Sequence, residues 1–252
     1  FPEIDRKELY AAILCGELLT EGARLRDPKV QTRGTERLEL QRRRYVSRGG
    51  EKLAAAIAAW DLPVLGRVWL DAGSSTGGFT DALLQHGAAH VHAVDVGRNQ
   101  LAYSLRRDER VSVREGTTLF DLTELTPPPD LACCDLSFRS LHGAAAHLLS
   151  LAGERRLIAL LKPQFELQER NRTAPAAEQV PFDGVVREES LVVELLVETL
   201  SLLRERDGAV AVALLESPIS GSRGNREFLV DLRGGAVPDA PEPRELLKEA
   251  GL

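Results

Sequence analysis

The sequence predicts an α/β protein with a doubly wound, mostly parallel sheet. Three observations lead there. Short apolar runs recur along the chain as RVWLDA, HVHAVD, LACCD, RLIALLK and AVALLE, separated by helical or loop stretches, and alternating strands and helices build parallel sheets with helices on both faces. Each run delivers a charged residue at its carboxyl end: Asp71, Asp95, Asp135, Lys162 and Glu216. A last run, EFLVDL, follows AVALLE too closely for a helical crossover and is predicted to pair antiparallel.

The elements before this sheet read differently. Residues 6–16, RKELYAAILCG, show helical apolar spacing that ends at Gly16, and short alternating pieces with turn residues continue to Leu40. This predicts a small helix-plus-hairpins unit over 1–41. An arginine-rich linker over 42–49 follows, then the main domain over 50–234, which opens with the helix GGEKLAAAIAAW. A tail over 235–252 carries a short helix. Residues 163–183 lack periodicity and are rich in Pro, Gln and Ala, which predicts a long loop beside the site.

At 252 residues the chain accommodates one large domain and a small appendage. It contains neither an apolar run of eighteen residues nor a basic-then-apolar leader, so no membrane association is expected and a cytoplasmic location is. Methionine is absent, so the natural chain is expected to extend upstream of Phe1. Cys15, Cys133 and Cys134 have no metal-ligand spacing and read as reduced packing residues; no metal is expected. The net charge of −6 argues against indiscriminate coating of nucleic acid. Residues 1–52 nevertheless carry +3, against −9 for the remainder, with the excess at Arg42, Arg43, Arg44, Arg48 and Lys52. Taken alone, such a run is most simply a solvated linker.

In open α/β sheets ligands bind beyond the carboxyl ends of the strands. Several charges gathered into one crevice repel or pair, which makes the five strand ends candidate site residues. The first opens Asp71-Ala-Gly-Ser-Ser-Thr-Gly-Gly-Phe-Thr80, a glycine-rich turn between strand and helix. As a triphosphate loop it fails, because Phe79 stands where the phosphate-binding lysine belongs. As a hydrolase elbow it would make Ser75 a nucleophile, yet His86, His90, His92, His142 and His147 all precede the last hundred residues, where that fold draws its base. A dinucleotide turn is broken by Ser75 at the second glycine position. A methyl-donor site fits: glycines admit the donor close to the backbone, and Asp95, 22 residues beyond Gly73, sits near the spacing of about 20 expected of a ribose-binding acid. A purely structural turn remains the plain alternative.

Six ordered motifs sharpen this reading: SRGGEKL, DAGSSTGGFTDALLQHGAAHVHAVDVGRNQL, DLSFRSL, LLKPQFE, GVVR and SPISGSRGNREFL. Over residues 45–232 they resemble the TlyA branch of FtsJ-like ribosomal RNA 2′-O-methyltransferases, some of which are labelled haemolysins. DRKELYAAILCGELLTEGARLRDPK resembles the later part of the small RNA-binding domain that precedes the catalytic domain in that family, without its opening helix. The resemblance implies a Rossmann-like methyltransferase with a seven-stranded, mostly parallel sheet and an antiparallel last strand. It also implies S-adenosyl-L-methionine as cofactor, and ribosomal RNA or ribosomal subunits as substrate, with cytidine as the nucleoside. No obligate protein partner is implied. Cofactor contacts fall on Asp71, Gly73, Ser74, Ser75, Thr76, Gly77, Gly78, Phe79, Thr80, Asp95, Val96, Gly116 and Asp135. Glu115-Gly116-Thr117 matches the family's adenine-recognition segment less closely than the other motifs match theirs.

A catalytic tetrad is implied at Lys52, Asp135, Lys162 and Glu216. The chemistry is consistent with it, because a ribose hydroxyl is too weak an acid to attack a sulfonium methyl until a base takes its proton. Lys162 is the expected base, since burial and a second cation favour the neutral amine, while Asp135 and Glu216 orient the two amines and oppose that shift. Without the resemblance, Lys52 reads as a solvated lysine at a helix start. Arg187 and Arg223 join the arginine run as expected RNA contacts. Ser137 and Phe138 are candidate pocket walls, Asn225 reads as a turn residue, and Glu166 is as easily placed on the surface as near the base. Two other functions stay open: a membrane-active haemolysin, which should show an amphipathic basic or aromatic helix that an aromatic content of 5% does not suggest, and a noncatalytic RNA-binding module.

Overall fold

The computed structural model describes residues 4–14, 17–31, 33–41, 44–221 and 223–252. The chain forms two compact units, residues 1–44 and 45–252. In the first, α1 (Arg6–Leu14) precedes a three-stranded antiparallel sheet of β1 (Leu18–Thr20), β2 (Ala23–Leu25) and β3 (Leu38–Leu40), in the order β2-β1-β3. Leu18 faces both Leu25 and Leu40 across the ladder, and only Ala12 and Leu18 of this unit are buried among the described residues. Helix plus hairpins is therefore what forms. The expected helix end at Gly16, the packing residue Cys15, and Arg42 and Arg43 of the linker lie outside the described residues.

The second unit opens with α2 (Gly49–Trp60), β4 (Val68–Ala72), α3 (Gly78–Gln85), β5 (His90–Asp95), the short α4 (Tyr103–Arg106) and β6 (Val111–Glu115). It continues through β7 (Leu131–Cys134), α5 (Ala144–Leu151), β8 (Arg156–Leu161), α6 (Pro163–Thr173), α7 (Glu189–Asp207), β9 (Ala209–Glu216), β10 (Phe228–Gly234) and α8 (Pro243–Glu249). The seven strands run in the order β6-β5-β4-β7-β8-β10-β9, parallel except for β10, which lies antiparallel between β8 and β9. This is the Rossmann-like sheet expected. Strand order reverses at β4, which is where such sheets open a crevice.

Alternation along the strands feeds two cores. Leu70, Ala72, Cys134, Leu157, Ala159 and Leu161 join the apolar cluster under α5, α7 and α8. Their neighbours Trp69, Cys133, Ile158 and Leu160 join the cluster under α2 and α3. Cys133 and Cys134 are free and buried, and successive strand residues face opposite sides, so each fills its own core and they do not bridge.

Three boundaries depart from the sequence reading. Residues 45–49 are not all linker: Tyr45 is buried in the core beneath α2, and the Val46 amide donates to Asp81 Oδ2 at 2.7 Å. The tail does carry its short helix, α8, but Leu246 and Leu247 are buried in the core, so the helix is docked. The long loop predicted over 163–183 begins instead as the three-turn helix α6. Pro163 occupies its first turn with Glu166, and Arg170 and Arg172 close it, which suits both the proline preference and the helix dipole. Its apolar stripe contracts to Leu167, and Arg170 holds Glu194 of α7 at 2.7 Å, so the helix is polar enough to hide its periodicity.

Candidate active site

β4 stops at Asp71-Ala72, and the chain turns through Gly73 to Gly77 into α3. Gly73 and Gly77 have φ of 81° and 98°, and Ser75 also sits in the left-handed region at 47°. A Cβ on Gly73 would stand 2.5 Å from the carbonyl oxygen of Asp135, so only glycine lets the β4 and β7 ends approach this closely. Beneath the turn, Asp71 is fully buried and accepts from Thr80 Oγ1 at 2.6 Å. Burial, with Asp135 and Asp95 nearby, pushes its carboxyl up to about 7.

Asp95 ends β5 on the other side of the turn. Its Oδ2 accepts from the Ser75 amide at 2.8 Å and its Oδ1 from the Gly97 amide at 2.6 Å, which fixes the carboxylate at the rim of a cavity of about 390 Å³. Gly73, Val96, Gln100, Thr117, Leu119 and Asp135 are among the other walls. Glu115 turns away from this cavity. It ties down the amides of Asn99, Gln100 and Leu101 and pairs with Arg106, whose guanidinium holds its carboxyl down at about 2.

A second cavity of about 430 Å³ lies on the opposite flank of the same turn. Gly73, Ser74 and Gly78 share its wall with Lys52, Asp135, Lys162 and Glu227, and Arg48 lies at its edge. Lys52 and Lys162 are each only 8% exposed. Lys162 pairs with Asp135 and donates to Ser137 Oγ at 3.3 Å, and Lys52 pairs with Glu227. A third cavity, about 580 Å³, opens from Lys162 toward Phe138, Phe165, Asp183, Arg223 and Asn225. Phe138 is 82% exposed with φ of 61°, a costly conformation for a bulky residue, and its ring lies 5.3 Å from that of Phe165.

The structure thus gathers Lys52, Asp135 and Lys162 as expected, and it corrects Glu216. That side chain is bound by Arg226, at 2.7 Å to Oε1 and 2.6 Å to Oε2, which lowers its pKa and occupies both oxygens. The carboxylate that reaches Lys52 is Glu227. Glu216 lies opposite Phe228 in the β9–β10 ladder, so it shares a face with Arg226 and Phe228, while Glu227 between them points to the other face. No local signal in the sequence carries that register. In the sequence Glu227 stands inside the motif SPISGSRGNREFL and opens the run EFLVDL, and neither setting marks it as the partner of Lys52.

Among the expected cofactor contacts, Gly73, Ser74, Ser75, Thr76, Gly78, Phe79, Asp95, Val96 and Asp135 line one or both of the first two cavities. Asp71 and Thr80 support the turn from below, Gly77 packs near Leu101 and Leu105, and the Gly116 amide donates to Gly97 O at 2.8 Å. These four therefore shape the cavities from outside them. Ser75 Oγ donates to Gln100 at 3.3 Å and meets no histidine among the described residues, so it has no base to serve as a hydrolase nucleophile. Arg48 and Arg223 face cavities, whereas Arg187 is exposed and paired with Asp183 at 2.8 Å. Asn225 is the structural residue expected, since its amide links Val186 N and Gly184 O at 2.9 Å each. Glu166, left open between surface and site, is buried and accepts from the Leu141 amide at 3.0 Å; burial raises its pKa.

A Rossmann-like sheet whose first turn is opened by Gly73, Gly77 and Gly78, flanked by the backbone-anchored Asp95 carboxylate and two buried amines, defines a group-transfer enzyme with a nucleoside-bearing donor. Residues 45–233 match the FtsJ-like methyltransferase family, and the chain belongs to it. It is 41% identical over 194 residues to the 16S/23S rRNA (cytidine-2′-O)-methyltransferase TlyA of Mycobacterium tuberculosis, covering 76% of this chain and 69% of that protein. Hemolysin A of Brachyspira hyodysenteriae is 34% identical over 229 residues, covering 89% and 92% respectively. A solved structure from Streptococcus thermophilus, provisionally labelled a hemolysin, aligns with a TM-score of 0.71 at 34% identity, covering 98% of this chain and 90% of that one. Among the described residues, no helix is long and apolar enough to cross a membrane, and no group of His, Cys, Asp or Glu is arranged to hold a metal ion.

Proposed function

We propose that the protein methylates the ribose 2′-hydroxyl of a cytidine in ribosomal RNA, using S-adenosyl-L-methionine, on free RNA or an assembled subunit in the cytoplasm. The observation that carries this reading is the single cavity shared by Lys52, Asp135, Lys162, Glu227 and the Gly73–Gly78 turn. The turn suits the donor: a side chain at Gly73 would close the approach, and Asp95 keeps lone pairs for ribose hydroxyls after its two backbone bonds. Val96, Thr117 and Leu119 supply walls for the adenosine portion. When bound there, the cofactor supplies an electrophilic methyl group.

Lys162 Nζ is placed to take the proton of the 2′-hydroxyl, while the cofactor, when bound, would give its methyl to that oxygen and leave as a neutral thioether. The ammonium that results is held by Asp135 and by the Ser137 hydroxyl, which fixes its direction, and its proton then returns to solvent. Lys52, kept in place by Glu227, brings a second positive charge to the developing alkoxide. Glu227 takes the tetrad position assigned from sequence to Glu216. Arg48 and Arg223, with Arg42, Arg43 and Arg44, supply phosphate contacts; Arg187 is a weaker candidate because Asp183 already neutralises it.

The test is to incubate the protein with ribosomal subunits and with naked ribosomal RNA in the presence of tritiated donor, map the methyl group, and repeat with Lys162→Ala. Methyl on a ribose oxygen in the wild type and its loss in the variant are expected. Methyl on a base would overturn the reaction type, and full activity of Lys162→Ala would overturn the base assignment.

A further inference from the structure

The third cavity is lined in part by a buried polar side chain whose oxygen has no hydrogen-bond partner among the described residues. Gln164, on the first turn of α6 and two residues from Lys162, is 7% exposed and lines this cavity together with Phe138, Phe165 and Arg223. Its Oε1 is buried and has no hydrogen-bond partner among the described residues. The other buried polar side chains around it are satisfied: Asn225 bonds at both ends of its amide, Glu227 pairs with Lys52, and Glu166 accepts from Leu141. Buried polar groups in folded proteins are almost always paired, and one left unpaired costs stability that a leucine of similar volume would not. An amide kept at such a position suits a partner that arrives from outside.

The chemistry of the cavity indicates which partner. Arg223 offers charge and suits phosphate, while Lys162 faces the reacting hydroxyl. A carboxamide is neutral and sets a donor beside an acceptor, which matches the edge of a nucleobase, where donors and acceptors also lie side by side. The exposed Phe138 ring lines the same space and offers a face for such a base. We propose that Gln164 is a base-reading residue: its carboxamide hydrogen-bonds the edge of the base carried by the ribose presented to Lys162. The inference rests on the ribose-methylation reading above.

The experiment compares wild type with Gln164→Leu and with Gln164→Met, an unbranched replacement, on two RNAs. One carries the mapped target nucleotide, and the other has an abasic ribose at that position. Both variants are expected to lose about 10- to 100-fold in kcat/KM on the natural RNA and no more than about twofold on the abasic one. Donor affinity should be unchanged and Tm equal or higher, because no bond within the protein is broken. Wild-type kcat/KM for the variants on natural RNA, equal losses on both RNAs, or a fall in Tm for both variants would each overturn the proposal. Those outcomes leave ribose methylation by the wild type intact. Absence of ribose methylation by the wild type would instead remove the proposed function, and this inference with it.

Discussion

The two flanks of the Gly73–Gly78 turn present opposite chemistry from one stretch of backbone. On the β5 side, the Asp95 carboxylate is engaged by main-chain amides and Glu115 braces the Asn99–Leu101 loop, so the wall is rigid and directs acceptors inward. On the β8 side, the half-buried Asp135 and the buried Glu227 carboxylates are engaged by lysine side chains. A carboxylate held by amides is set for hydroxyl donors; a carboxylate holding an amine sets that amine's position. On the proposed function, the same residue type would therefore serve binding on one flank and proton handling on the other, according to what partners it.

Substitutions on each flank should separate these tasks. Lys162→Ala should lower methyl transfer by about 10²–10⁴-fold, the usual contribution of a positioned base, while donor affinity measured by calorimetry stays within about twofold. Asp95→Ala should do the reverse, weakening donor binding by about 10- to 100-fold through lost charge-assisted hydrogen bonds, with RNA affinity by filter binding little altered. If both variants lost donor affinity equally, the division between the flanks would not hold.

Smaller effects sharpen the same contrast. Glu227→Gln should reduce kcat by about tenfold or more by releasing Lys52, whereas Glu216→Gln, which disturbs only a half-exposed pair with Arg226, should stay within about twofold. A steady-state comparison that ranked them the other way would restore the tetrad expected from sequence. Beneath the turn, the folded state keeps a proton on Asp71 that the unfolded carboxyl releases above about pH 4, since its pKa is raised to about 7. Its contribution to stability is full below the unfolded value and is lost as pH rises through about 7. Asp71→Asn should flatten that part of a Tm-against-pH curve between pH 5 and 8, with differences on the order of several degrees.

Periodicity and strand-end chemistry made most of the second unit legible. β4, β5, β7, β8 and β9 are visible as apolar runs, and the antiparallel β10 follows from the short connection before it. β6 is harder to see, because at the sheet edge its residues are half exposed and its pattern is weak. Lys162 and Asp135 could be picked out because strands in a parallel sheet deliver their last residues to one edge, so linear position implies convergence.

Other features depend on contacts that no short stretch of chain encodes. Glu227 displaced Glu216 because the ladder register between β9 and β10 decides which face each glutamate meets. Helix α6 has no helical signature in the sequence because ion pairs to α7 and a single buried leucine stabilise it in place of an apolar stripe. By itself the sequence determined which residues end each strand and hence the chemistry available at the crevice, since period and polarity are local properties. Only the tertiary structure decided which carboxylate partners which amine, and that Gln164 Oε1 meets no hydrogen-bond partner among the described residues, because pairing across strands and burial against distant helices are properties of the assembled chain.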